Sequence, residues 1–255
     1  MRANDWNTER SGLDLVERDF RLPRYPVNAP PLRIALLTDL HAGPSTGPEV
    51  FRRAAHALVT WQPDLILWGG DYVLFDGQHA QRLEPLLTAY TPKLGSYAVW
   101  GNHDWVSGLG AIRRVFQRCG VRILANEPAR LPAPYASVAI VGLDDLTMGA
   151  MDYAKAWRGL NDDDFRLLLA HNPDSLLMLS GQRADLSLSG HTHGGQIRLP
   201  GGYAPYVPSK VARNQPSGLH QTASGPLYIS RGIGCTAFPL RINAAPELTL
   251  LTLTR

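Results

Sequence analysis

Short apolar runs bounded by Gly, Pro and Asp alternate along the chain with longer stretches of helical periodicity. Residues 32–38 (LRIALLT), 64–68 (DLILW), 96–100 (SYAVW), 137–141 (SVAIV), 166–170 (RLLLA) and 184–189 (ADLSLS) read as strands. Most are almost unbroken in apolar residues, which predicts burial on both faces. Helices are predicted over 49–60, 81–90, 109–119 and 173–179. Alternation of this kind builds a layered α/β domain. Toward the C-terminus the pattern changes, because 227–230 and 247–253 read as strands with no helix between them. A second, more antiparallel sheet is their expected home. The Gly/Pro/Ser-rich stretch 200–226 is long enough to be a functional loop or lid.

Polar, metal-capable residues come directly after the strands. Asp39-Leu40-His41 follows the first, Gly69-Gly70-Asp71 the second and Gly101-Asn102-His103-Asp104 the third. His171-Asn172 and Gly190-His191-Thr192-His193 follow two later strands. Ligands bind at the carboxyl ends of strands in open α/β sheets, so these segments are expected to converge on one rim. Five of the 8 histidines lie in them, beside Asp39, Asp71 and Asn102. Imidazole, carboxylate and amide oxygen without thiolate suit Mn²⁺, Fe or Zn²⁺ and disfavour a structural cysteine-zinc site. Asp39 and His41 are two apart, so an extended backbone would project both to one side, where one ion can take both. The same spacing relates His191 and His193, although a turn there would send them to two different ions.

Composition narrows the class. Of 255 residues, 44% are hydrophobic and 18% charged, which excludes a disordered polyelectrolyte and a polytopic membrane protein. The net charge of +3 is too small and scattered to mark a nucleic-acid binder. Cys119 and Cys235 form neither a CxxC pair nor a disulfide framework, and Cys235 is expected to be a small buried residue. Residues 1–7 are charged and lack the apolar core of a secretory signal, and no apolar run reaches the about 20 residues that span a bilayer. The expected location is therefore cytoplasmic.

In order along the chain, D-x-H at Asp39 and His41, G-D at Gly70 and Asp71, G-N-H-D from Gly101 to Asp104, the lone His171, and G-H-x-H from Gly190 to His193 resemble the motifs of the calcineurin-like metallophosphoesterases. The segments GHTHGGQIRLP (190–200), LYISRGIG (227–234) and PLRINAAPELTLLTL (239–253) are similar to an envelope-associated branch that includes UDP-2,3-diacylglucosamine pyrophosphatase-like proteins. The resemblance implies a four-layer α/β/β/α sandwich of two mixed sheets. It makes 1–31 an N-terminal extension with a lead-in strand and 32–255 the metallophosphoesterase domain. It also implies two divalent ions (Mn²⁺, Fe, Zn²⁺ or Mg²⁺), with Asp39, His41 and His193 on one, Asn102, His171 and His191 on the other, and Asp71 bridging. Asp71 and His103 are the implied catalytic residues, His103 protonating the leaving oxygen or binding a phosphoryl oxygen, while Asp104 orients His103 or a metal-bound histidine. The implied activity is hydrolysis of a phosphoester or pyrophosphate by a hydroxide held between the ions. The substrate would be a phosphorylated small molecule or a lipid-linked or UDP-sugar compound. A nucleotide, cyclic nucleotide or phosphoprotein is the alternative, and a non-catalytic metal-binding scaffold a distant third.

Other residues carry weaker expectations. Arg231 and Arg241 are candidates for anion contact, whereas Arg52-Arg53 and Arg113-Arg114 read as solvated helix faces. Trp61, Trp68, Trp100 and Tyr72 should pack the core or wall the cleft. A lipid-linked substrate would need an apolar groove, for which Tyr203, Tyr206, Val207 and Phe238 are candidates, and peripheral contact with the inner membrane surface. His56, His79 and His220 stand outside the blocks and are assigned no role.

Overall fold

The computed structural model describes residues 12–179 and 181–255. Among these, β1 (Asp14–Arg21), β2 (Leu32–Leu37), β3 (Leu65–Trp68), β4 (Ser96–Ala98) and β5 (Val121–Ile123) belong to a first sheet. A second sheet holds β6 (Glu127–Arg130), β7 (Val138–Gly142), β8 (Phe165–Leu169), β9 (Leu186–Ser189), β10 (Gly218–Thr222) and β11 (Gly225–Ile229). The last strand, β12 (Glu247–Thr254), returns to the first sheet, giving the orders β1-β12-β2-β3-β4-β5 and β10-β11-β9-β8-β7-β6. Both are mixed: β2 to β5 are parallel while β12 runs antiparallel to β2, and β11, β9, β8 and β7 are parallel with antiparallel β10 and β6 at the edges.

The period of two along each strand explains why so many are apolar throughout. Ile34, Leu36, Leu65 and Leu67 of the first sheet face Ile140, Leu167, Leu169, Leu186 and Leu188 of the second in one inner core. The alternate residues Ala35, Leu37, Ile66 and Trp68 turn outward, against α1 (Pro48–Trp61) and α4 (Leu109–Arg118). On the far side Val141, Leu168, Leu227 and Ile229 pack under Leu176, Leu179, Ala212 and Ala156. That fourth layer is thin, built from the short α5 (Tyr153–Ala156), a 3-10 turn at Pro173–Met178 and part of the 200–217 loop. The remaining helices, α2 (Glu84–Leu87) and α3 (Asn102–Ser107), are also short. No helix among the described residues is long and apolar enough to cross a membrane.

α1 begins at Pro48 after an extended Gly47, a position where a missing N–H costs nothing. It buries Phe51, Ala54, Ala57 and Leu58 on one stripe and ends at Gln62 in the left-handed region, whose N–H donates to Leu58 O. The six early strand expectations are met to within one or two residues. The predicted 81–90 helix is instead a 3-10 turn at Gly77–Leu83 leading into α2, and 173–179 is 3-10 rather than α-helical. The expectation for the C-terminal strands is corrected: they do not share a sheet. β11 extends the parallel edge of β9 and β12 takes the open edge of β2, so the chain crosses between the sheets from 230 to 246. A strand at β1, parallel to β12, is the edge of the first sheet. Residues 1–11 of the expected extension lie outside the described residues.

Leu167 is fully buried between the sheets and Leu15 is 51% exposed. Leu167→Ala is expected to lower unfolding stability by about 2–5 kcal/mol, and Leu15→Ala by less than about 0.5 kcal/mol, in a denaturant titration.

Candidate metal centre

The loops after the strands are held together by backbone hydrogen bonds that continue the sheet pairing. Asp39, His41 and Ala42 N–H donate to the carbonyls of Gly70, Asp71 and Tyr72 at 2.9, 3.0 and 2.9 Å, prolonging the contact of β2 with β3. In the second sheet Gly190 N–H donates to His171 O at 3.0 Å, joining the ends of β8 and β9. The crossing segment then ties the two sheets, since Ile233 N–H donates to Thr38 O at 3.0 Å and Gly234 N–H to Asp39 O at 2.6 Å.

Asp39, His41, Asp71, His191 and His193 all have positive φ, between 43° and 70°. For residues with a Cβ each such conformation costs of order 1–3 kcal/mol and persists only where the surroundings enforce it. The expectation that Asp39 and His41 share a side because the strand end is extended is therefore corrected: they converge through consecutive tight turns. Two glycines make room. A Cβ on Gly70 would lie 2.8 Å from both Gly101 N and His171 Nδ1, and one on Gly101 would overlap the Asp71 carboxylate and amide.

The side chains so placed form two clusters sharing a wall. Asp39, His41 and His193 make one, Asp71, His171 and His191 the other, and His41, Asp71 and His103 form a third group that joins them, each with ligand atoms within 4.8 Å of one another. His41 and His193 approach through their Nε2 atoms at 3.1 Å, and His193 Nε2 is 3.4 Å from Asp39 Oδ1. His171 Nε2 is 3.1 Å from both-facing Asp71 Oδ2, which is 3.6 Å from His41 Nε2. Asp71 thus stands between the clusters. His171 Nδ1–H donates to Gly69 O at 2.8 Å, which fixes the ring and leaves Nε2 toward the site. His191 Nδ1 lies 3.2 Å from His171 Nε2. The Asn102 amide oxygen is buried without a partner, and so is His41 Nδ1. A buried, unsatisfied amide oxygen beside a cluster of nitrogens and carboxylates fits a divalent cation. A cleft of about 230 Å³ opens onto these groups, bordered by His103, Gln196, Tyr206 and Thr236. The His103 ring sits 4.9 Å from that of His41.

Burial governs the charge states. It pushes Asp39 up to about 6, and pulls His41 down to about 3 and His191 to about 4. His193 is held well below its ordinary value by the same cause. These rings keep free lone pairs at neutral pH. Burial opposes charge on Asp71 and His171 as well, but their mutual attraction wins, drawing the Asp71 carboxyl well below the carboxylate range and His171 up to about 10. Without a cation, a proton on His171 is the counter-charge of Asp71.

Asp104 does not orient a histidine, contrary to expectation. Its Oδ2 accepts from Asp71 N–H and Gly101 N–H, both at 2.9 Å, and its Oδ1 from Tyr72 N–H at 2.8 Å. The fully buried carboxyl, pushed up to about 8 by burial and by Asp71, clamps the two loops through their backbones. The arginine expectation is also corrected. Arg231 pairs with Glu247 (2.7 Å) and Asp14 (3.0 Å), while Arg241 is 5% exposed and donates to the carbonyls of Gly234, His193, Ala244 and Arg231. Trp68, Trp100 and Tyr72 are buried core, and Trp61 stacks under Arg33 away from the cleft. Cys235 is half-buried rather than buried. Gln196, which sequence reading passed over, straps the site to the crossing segment by accepting from Thr236 N–H (3.0 Å) and donating to Thr236 O (2.9 Å).

A sequence model of the family described as calcineurin-like phosphoesterase matches residues 32–195. The chain is 34% identical to the phosphodiesterase YaeI of Escherichia coli, over 91% of this chain and 86% of that protein. It is 32% identical to an uncharacterized metallophosphoesterase, YkuE of Bacillus subtilis, over 94% and 85%. In fold alone it resembles a solved structure described as GAP50, the anchor in the inner membrane complex of Plasmodium, with a TM-score of 0.50, 13% identity, and coverage of 86% of this chain and 79% of that one.

Two outcomes follow from the geometry. Gly101→Ala should displace Asp71 and weaken binding of divalent ions at least about tenfold, with the circular dichroism spectrum of the folded chain retained. If a cation takes the place of the His171 proton, manganese binding at pH 8 should release protons. Calorimetry in buffers of different ionisation enthalpy reads this release, and identical heats in all buffers would contradict it.

Proposed function

The chain belongs to the calcineurin-like phosphoesterase family, and from that premise we propose that it hydrolyses phosphodiester bonds at the centre formed by Asp39, His41, Asp71, Asn102, His171, His191 and His193. It is a phosphoester hydrolase that works with two divalent metal ions, whose identity is open among Mn²⁺, Fe, Zn²⁺ and Mg²⁺. The observation that carries the assignment of residues is Asp71, a buried carboxylate between two nitrogen-rich clusters at the floor of an open cleft. The diester preference is supported by the similarity to a protein named as a phosphodiesterase.

When bound, the cations supply Lewis acidity and the positive charge that a phosphoryl transition state requires. Asp39, His41 and His193 would hold one, Asn102, His171 and His191 the other. Asp71 would offer an oxygen to each. His103 is half-buried at the cleft wall and borders it beside Asn102. Its backbone N–H donates to Asp71 Oδ1 at 2.8 Å, which holds that carboxylate in place. From there the ring can give a proton to the departing oxygen or hold a phosphoryl oxygen. Thr38 Oγ1–H donates to Asp39 Oδ2 at 2.7 Å and steadies that carboxylate.

One observation favours a second reading of the substrate. Tyr203, Tyr206 and Phe238 are 65%, 74% and 70% exposed, and Tyr206 borders the cleft. Solvated aromatic rings, one of them at the edge of the cleft, suit a lipid-linked phosphoester or pyrophosphate, including the UDP-sugar lipids of the narrower resemblance, met at a membrane surface. Activity on such a lipid that rises when it is presented in vesicles would support this reading, and indifference to vesicles would remove it.

Asp71→Ala should lower kcat on bis(p-nitrophenyl) phosphate with added Mn²⁺ by about a thousandfold or more while the fold persists; near-normal turnover in metal-checked protein contradicts the assignment. His103→Ala should lower kcat by about 10²–10⁴ with both metals retained by elemental analysis. Loss of metal instead would make His103 a ligand.

A further inference from the structure

Beside the metal cleft lies a larger cavity of about 710 Å³, formed by the 202–216 loop. Tyr206 and Pro208 border both spaces, so the two are neighbours across one aromatic and one proline ring. The larger cavity carries cations. Lys210 and Arg213 line it, are exposed, and have side chains without an ion-pair partner among the described residues.

Its one acidic lining residue is already engaged. Asp174 accepts from Ser209 Oγ–H at 2.6 Å, from Lys210 N–H at 2.9 and 2.8 Å and from Val211 N–H at 3.0 Å. This carboxylate shapes the 209–211 turn, and its charge is spread over three donors. Ser209 Oγ in turn accepts from Ala212 N–H at 3.0 Å, and Ala212 is buried in the core cluster over the second sheet. The turn that presents Lys210 and Arg213 is therefore anchored to the body of the protein. The wall offers an aromatic face, the Asn214 amide and two positive charges without an ion-pair partner among the described residues.

We propose that this cavity is a second substrate subsite, taking an anionic group such as a phosphate or phosphonate carried on the alcohol half of the phosphodiester, with Lys210 and Arg213 as its counter-charges and Tyr206 as the shared wall. The subsite deepens the phosphodiesterase reading and rests on it: one phosphate meets the metal centre, and a second anion on the same molecule lies beyond Tyr206. Substrates of the class are diesters with two separated negative groups. Two exposed ion pairs of middling strength should together tighten binding about fivefold to tenfold, with the gain falling as salt screens it.

The test is calorimetric, on the manganese-loaded protein, with two dialkylphosphinates that cannot be hydrolysed. One carries a terminal phosphonate on an alkyl arm, the other a terminal hydroxyl. The wild-type chain should bind the phosphonate probe about fivefold to tenfold more tightly. In Lys210→Ala/Arg213→Ala the ratio of the two Kd values should fall to about one, and in Lys210→Glu/Arg213→Glu it should invert. Equal binding of both probes by the wild type overturns the proposal, as does an undiminished ratio in the double variants. Hydrolysis of bis(p-nitrophenyl) phosphate, followed in parallel, reports on the catalytic reading alone: its absence together with an intact, Lys210- and Arg213-dependent ratio would count against the phosphodiesterase assignment and for the subsite.

Discussion

The carboxylate of Asp71 is buried, 1% exposed, at the meeting of two sheets, and everything around it answers the need to balance its charge. An isolated ion there would be costly, because desolvation is not repaid unless opposite charge lies at hand. His171 and His41 supply nitrogens on two sides at 3.1 and 3.6 Å. Neither is a permanent cation. The cluster is consequently a place where protons and divalent metal ions compete, and the imidazoles of His41, His191 and His193, kept neutral by burial, favour the metal. The energetic cost is carried by the scaffold: five left-handed non-glycine residues, two glycines with no space for a Cβ, and a buried Asp104 that holds the loops by three backbone amides.

The two-sheet architecture is what makes that arrangement affordable. β2 and β3 deliver Asp39, His41 and Asp71 from one sheet, and β8 and β9 deliver His171, His191 and His193 from the other. A common inner core of leucine and isoleucine fixes the sheets against each other. The crossing from β11 to β12 runs beneath the site, where Arg241 spends its donors on carbonyls, including that of His193. That guanidinium is a strut rather than an anion receptor. Protein interiors transmit displacement because they are close-packed, so an inner-core change is felt at the clustered histidines and carboxylates.

Much of this was legible in the sequence, and the reasons differ by element. Strands buried on both faces announce themselves by unbroken apolar runs, so β2, β3, β7, β8 and β9 could be placed closely. Edge strands could not: β10 has an alternating, half-exposed pattern inside a Gly/Pro/Ser-rich stretch, and β5 and β6 are three and four residues long. The site residues were visible as ordered blocks after strands, since every such block supplies side chains that meet in space. Their local conformation was not, because sequence spacing of two suggested extended backbone where the chain turns through the left-handed region at Asp39 and His41. Asp104 was noticed, but its partners are amides, which leave no trace in residue identity. Arg231 and Arg241 were candidates for anion contact because they lie in the C-terminal segments that carry the narrower resemblance. Their carboxylate and carbonyl partners lie on distant segments that only the fold brings near.

Anomalous diffraction from crystals soaked in manganese tests the central claim most directly. Two peaks are predicted, one among Asp39, His41 and His193 and one among Asn102, His171 and His191, with Asp71 touching both. A single peak, none, or a pair that leaves Asp71 uncoordinated would contradict the account.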